Sequence, residues 1–120
     1  MAFNFNGRIR SFRFAFEGLF FVVKTQYNAW IHLFFTLVII GAGLFFDISK
    51  EDWSFVVFSF GMVWIAEILN TAFELLCDVT QPDFHPIVKK AKDVSAGAVL
   101  VAAITAVVTG ILVFKPYIFS

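Results

Sequence analysis

Cysteine is nearly absent. The chain holds one, Cys77, so no disulfide can form within it and a cysteine-rich zinc site is unsupported. A lone thiol among apolar neighbours is ordinarily inert packing. Charge is scarce too: charged residues make up 15% of the 120, where soluble domains run nearer a quarter. Nine lysines and arginines balance nine aspartates and glutamates. With no net charge and no basic block, no nucleic-acid partner is expected. A GxxxxGK(S/T) loop is missing, which removes the P-loop route to nucleotide phosphates. The GAG at 41–43 reads as helix packing, not a phosphate cradle. Repeats, low-complexity tracts and a second domain are missing as well.

What remains is oil. The chain is 60% hydrophobic and 19% aromatic, with a mean hydropathy of +0.86. A water-soluble fold of this size could not hide so much apolar surface, so the expected solvent is a bilayer. Three runs read as spanning helices, at 30–46, 53–77 and 94–114, against a requirement of roughly 20 residues. The first is short. The second, with its flanks, is longer than a membrane is thick, so one end should project. Pro116 is expected to help end the third. Trp30, Trp53 and Trp64 read as interface anchors or core. Ala98, Ala102, Ala106 and Gly110 form a small-residue stripe suited to close helix packing, within the chain or between chains.

Between the first two spans lies an acidic turn, "DISKEDW". Between the last two lies "TQPDFHPIVKKAKD", with three lysines. Arg8, Arg10, Arg13 and Lys24 precede the first span. The positive-inside rule therefore puts the N-terminus and the second loop in the cytoplasm. Residues 3–24 differ in kind. Phe5, Ile9, Phe12, Phe16, Leu19 and Val23 recur at helical steps with arginines interleaved, the pattern of an amphipathic helix lying on the membrane surface. Those arginines suit anionic head groups or a substrate. No cleavable signal is visible, and the N-terminus is expected to be retained. The expected fold class is all-α integral membrane: one membrane domain, 1–120, built from a surface helix and three transmembrane helices.

Within this oil lies "EILNTAFELLCD", residues 67–78. On a helix, with Glu67 at zero, Asn70 falls at about −60°, Thr71 about +40°, Glu74 about −20° and Asp78 about +20°. All share one narrow face. A charged side chain at mid-bilayer costs about 2.5–3.5 kcal/mol even on the mildest scale. Helix–helix hydrogen bonding accounts for the amide and the hydroxyl. It does not account for three carboxylates with no lysine or arginine in the spans to pair them. Carboxylates are hard ligands for magnesium, which bridges protein to phosphates. In an apolar setting they also become candidates for general base. Phosphoryl transfer would use both properties. A proton- or cation-coupled transporter using Glu67 and Glu74 would use the same stripe. "HPIVKKAKD" supplies His85, Lys89, Lys90, Lys92 and Asp93 just before the third span. Lys89 and Lys90 fit the positive-inside bias alone. Lys92 could neutralise phosphate oxygens, and Asp93 could accept from an adenine amine or a ribose hydroxyl.

"AEILNTAFELLCD", then His85, then "AKDVSAGAVLVAA", resembles the prokaryotic diacylglycerol kinase family, which includes undecaprenol kinases. The shared patterns are E-x-x-N-(T/S)-A-x-E-x-x-x-D and K-D-x-x-(A/S)-(A/G)-A-V. The resemblance implies a homotrimeric bundle in the bacterial inner membrane, with active sites shared between chains. It implies transfer of the γ-phosphoryl group of MgATP to the primary hydroxyl of diacylglycerol or undecaprenol at the cytoplasmic interface. Glu67 would be the general base and Glu74 a metal ligand. Asn70 and Asp78 would support them, and His85, Lys92 and Asp93 would hold nucleotide. One departure stands out. Gln26 occupies the position of a second metal-binding glutamate, and Trp30 that of a common arginine. A glutamine offers magnesium a neutral carbonyl in place of a charge. "SAGAVL" leans toward the undecaprenol branch. A non-catalytic subunit of the same fold is a further alternative.

Overall fold

The computed structural model describes residues 4–119, which form four α-helices. α1 is Phe5–Thr25, α2 is Tyr27–Phe46, α3 is Lys50–Thr80 and α4 is Pro86–Ile118. The expected start of the surface helix, residue 3, lies outside the described residues. Asn4 caps α1, its side chain accepting from the Gly7 amide at 3.2 Å. Phe5, Phe12 and Phe16 are each 67% exposed, so the apolar face of α1 has no cover among the described residues. Val22 is the one residue buried on this helix. An uncovered apolar stripe flanked by arginines is what a membrane-surface helix presents. At Gln26 the backbone turns extended (φ −104°, ψ 123°), ending α1 and starting α2.

α2, α3 and α4 are each long and apolar enough to cross a membrane. The 31 residues of α3 make a rod of about 46 Å at 1.5 Å per residue, well beyond a hydrocarbon core of roughly 30 Å. The acidic turn is shorter than "DISKEDW" suggests. α2 ends at Phe46, Asp47 takes the left-handed conformation (φ 51°), and α3 begins at Lys50. Ser49 is the reason: its hydroxyl accepts from the Asp52 amide at 3.1 Å. Glu51 and Asp52 in the first turn complement the helix dipole. Pro86 opens α4 at its first turn, so the lysines at 89–92 sit on helix rather than loop. Pro116 lies inside α4, which runs two residues past it to Ile118.

α3 and α4 pack along each other as the main pair, and α2 leans on α3. The radius of gyration is 17.9 Å, against about 14 Å for a compact chain of this length. The helices therefore do not enclose a common core. A groove of about 820 Å³ opens between α2 and α4 over α3, with Ala106 and Gly110 among its walls. The buried cluster lies at the α2–α3 turn end: Ile48, Val56, Val113 and Phe114, flanked by Phe46 and Trp53. Gly43 is required there. A Cβ at this position would meet the Trp53 ring at 2.6 Å.

Candidate functional site

The polar stripe on α3 is graded by depth. Glu67 is 1% exposed, Asn70 7% and Thr71 3%. One turn on, Glu74 is half-buried, and Asp78 is exposed. Packing against α2 and α4 seals the upper end; the lower end emerges where α3 runs on past the start of α2. Thr71 satisfies its hydroxyl locally, donating to the Glu67 carbonyl at 2.9 Å. The buried carboxylate and amide are not satisfied among the described residues. Glu67 Oε2 and Asn70 Oδ1 are sealed from solvent and have no hydrogen-bond partner there. Buried polar atoms are overwhelmingly paired in folded proteins, so two orphans on one helix face mark a place kept for something else.

A third orphan faces them. His32 Nε2 on α2 is likewise sealed and unpaired, at 3.5 Å from Glu67 Oε2. Its ring meets Trp64 edge-on, with centroids 6.1 Å apart. The Trp64 indole donates to Thr36 Oγ1 at 3.2 Å, and Thr36 donates to the His32 carbonyl at 2.6 Å. α2 is thereby latched to α3 beside the carboxylate. Sequence reasoning passed over His32. The signal was there: an imidazole inside "WIHLFF" is the sole acid or base between Asn28 and Phe46.

The remaining residues sit at the lower end. Lys92 Nζ donates to Asp78 Oδ1 at 2.6 Å, bringing α4 onto the foot of the stripe. The charge of Glu74 also acts on the Lys92 ammonium. Asp93 accepts from Lys89 at 2.7 Å, one turn away on the same helix. His85 caps α4, its Nδ1 accepting from the Ile87 amide at 3.2 Å. Gln26 donates through Nε2 to Thr25 Oγ1 at 3.1 Å. The structure thus joins Glu67 to His32 and Asp78 to Lys92. Among the described residues no hydrogen bond or ion pair joins Gln26 to Glu74.

A divalent cation needs oxygen ligands. Among the described residues no three histidines, cysteines, aspartates or glutamates form a metal-binding group. Glu74 nevertheless fits a magnesium ion that arrives on phosphates. It is half-buried, and no hydrogen bond or ion pair within the described chain occupies its carboxylate. Magnesium characteristically takes one or two carboxylates and leaves its other positions to water and phosphate oxygens.

The family described as prokaryotic diacylglycerol kinase matches residues 13–114. An undecaprenol kinase of Bacillus subtilis (strain 168) is 32% identical over 111 residues, covering 92% of this chain and 90% of that protein. A diacylglycerol kinase of Synechocystis sp. is 37% identical over 111 residues, covering 92% of this chain. The chain spans 63% of the length of that relative. A diacylglycerol kinase of Helicobacter pylori is 27% identical over 104 residues, 81% of each chain.

Proposed function

The chain belongs to the prokaryotic diacylglycerol kinase family, a family of lipid kinases, and from that premise we propose the reaction and the role of each residue. The protein transfers the γ-phosphoryl group of ATP to the primary hydroxyl of a membrane lipid, diacylglycerol or undecaprenol. The observation that carries this reading is Glu67. A carboxylate 1% exposed with an unpartnered oxygen lies at the deep end of a stripe whose shallow end holds a lysine. A lipid hydroxyl reaches the deep end from the bilayer; a nucleotide reaches the shallow end from water.

Glu67 takes the proton from the lipid hydroxyl as its oxygen bonds to the γ-phosphorus. The bond from that phosphorus to the β–γ bridging oxygen breaks, and ADP leaves with the electron pair. Asn70 supports the base from one turn away. Glu74, with the Gln26 carbonyl, would hold Mg²⁺, which when bound would neutralise charge on the phosphates. Lys92 offers its ammonium to the phosphates on leaving Asp78, and Asp93 and His85 hold the nucleoside. Little covalent chemistry falls to the protein. Positioning and charge stabilisation supply the rate.

Seven of the nine lysines and arginines lie at the end of the helices that holds Lys92: Arg8, Arg10, Arg13, Lys24, Lys89, Lys90 and Lys92. That asymmetry supports a cytoplasmic N-terminus in a bacterial inner membrane. The open groove and the uncovered helix faces support assembly, which we take to be a homotrimer with shared sites. Purified protein given radiolabelled MgATP with a short-chain diacylglycerol, or with a polyprenol, is expected to yield labelled phospholipid. No product from either lipid, together with cation flux in proteoliposomes, would replace the kinase with a transporter.

A further inference from the structure

We propose that His32 is a positioning residue for Glu67, holding one carboxylate oxygen so that the other meets the lipid hydroxyl. This rests on Glu67 as the base. Three buried polar atoms lack partners in the described chain: His32 Nε2, Glu67 Oε2 and Asn70 Oδ1. Two accept hydrogen bonds. Only the imidazole can donate, through the tautomer that carries its proton on Nε2. The separation from Oε2, 3.5 Å, is beyond a good hydrogen bond. Catalytic contacts are often long before substrate binds and tighten in the reacting complex.

The imidazole is fixed by groups other than Glu67. Trp64 meets its ring edge-on, and Trp64 is itself held in place by donating through its indole to Thr36. It therefore forms a stationary post, against which a flexible glutamate side chain comes to rest. A glutamate has three rotatable bonds, and without the post its carboxylate would sample orientations that turn the basic oxygen from the substrate. His32 also lines the open groove, so it stands between the apolar surface and the base. Donation from Nε2 to Oε2 seals that oxygen and leaves Oε1 for the substrate's proton. No metal takes part in this contact.

The test is a substitution series at position 32, assayed with MgATP and each of a short-chain diacylglycerol and a C55 polyprenol. His32→Leu removes the donor. His32→Asn keeps an amide too short to reach the Nε2 position, and His32→Gln extends one to it. Leucine and asparagine should lower kcat by about 10- to 100-fold, a part of the roughly 100- to 10,000-fold that a positioned base supplies, with KM for MgATP unchanged. Glutamine should return kcat to within about threefold of the parent, since an N–H donor again reaches the carboxylate. If leucine prevents folding, read by circular-dichroism melting in detergent, the asparagine–glutamine contrast decides. Equal kcat across the series, equal losses in Asn and Gln, or a loss confined to KM for MgATP overturns the proposal. Glu67→Gln, run in parallel, separates the two levels. A dead Glu67→Gln beside a flat His32 series removes His32 alone. An active Glu67→Gln removes the base and His32 with it.

Discussion

The two ends of the α3–α4 pair are built on opposite rules. At the α2–α3 turn no buried side-chain polar atom among the described residues lacks a partner. Tyr117 at the end of α4 donates to Asp52 Oδ2 at 2.7 Å and accepts from the Ser49 amide at 3.0 Å. Around it pack Ile48, Val56, Val113 and Phe114. At the depth of Glu67, by contrast, three buried polar atoms go unpaired among the described residues; the groove between α2 and α4 runs past both levels, from Ile31 and His32 to Phe46 and Phe114. An unsatisfied buried polar group costs about 1–3 kcal/mol. One end holds the helices together while the other buries polar groups that the described residues leave unpaired. Strain at a functional site is offset elsewhere in the structure.

The largest effect that separates the ends belongs to Glu67→Gln. The amide keeps the shape and cannot take a proton at neutral pH. Turnover should fall by at least about 100-fold, the lower bound for loss of a general base. The melting temperature should hold or rise, because an amide is less costly to bury than a carboxylate. Measured together, labelled-lipid formation and thermal unfolding would break the comparison if activity persisted or if the variant unfolded.

Next comes the shallow end of the stripe. Lys92→Met removes an exposed ammonium that pairs with Asp78. Such a surface pair contributes little to stability, so melting should scarcely move. KM for MgATP should rise by about tenfold or more, since a charge-assisted contact to phosphate is lost. A normal KM would assign the lysine to orientation bias alone.

Gly43→Ala tests the closed end. The new Cβ would lie 2.6 Å from the Trp53 ring, and the ring is pinned between α2 and the buried cluster. Overpacking of this kind costs about 1–3 kcal/mol. Melting should drop, while the folded fraction keeps its kcat. A fall in kcat without a fall in stability would mean that the two ends are coupled.

How much of this was legible in the sequence follows from range. Helical periodicity is local, so the shared face of Glu67, Asn70, Glu74 and Asp78 could be read directly, and the apolar runs announced the three long helices. Helix ends were read less well. Capping by Ser49 and an opening Pro86 extended α3 and α4 past their apolar cores. His32 was missed because its meaning depends on which face of α2 meets α3, a contact across 35 residues of chain that no local period encodes. The Tyr117 clasp is hidden in the same way, because it joins the start of α3 to the end of α4. Lys92 was placed near the stripe on the assumption that α3 and α4 pack side by side, and they do.

Tyr117→Phe should have the smallest effect, and it isolates the clasp. The ring remains and keeps its packing near Phe46, whose centroid is 6.5 Å away; only the hydroxyl is lost. Two hydrogen bonds go with it, and both former partners lie near the surface, where water can replace them. The net loss should therefore be about 1 kcal/mol, typical of a hydrogen bond whose partners can be resolvated. That is visible as a lower denaturation midpoint with kcat and both KM values unchanged. The helix carrying Tyr117 is also the one that carries Lys92, about 37 Å down the same rod at 1.5 Å per residue. If α4 moved as a rigid lever, loosening its far end would disturb the nucleotide contact and raise KM for MgATP. Unchanged kinetics would show that packing against α3 between the two points absorbs the disturbance, so that the holding end and the working end answer to separate sets of residues.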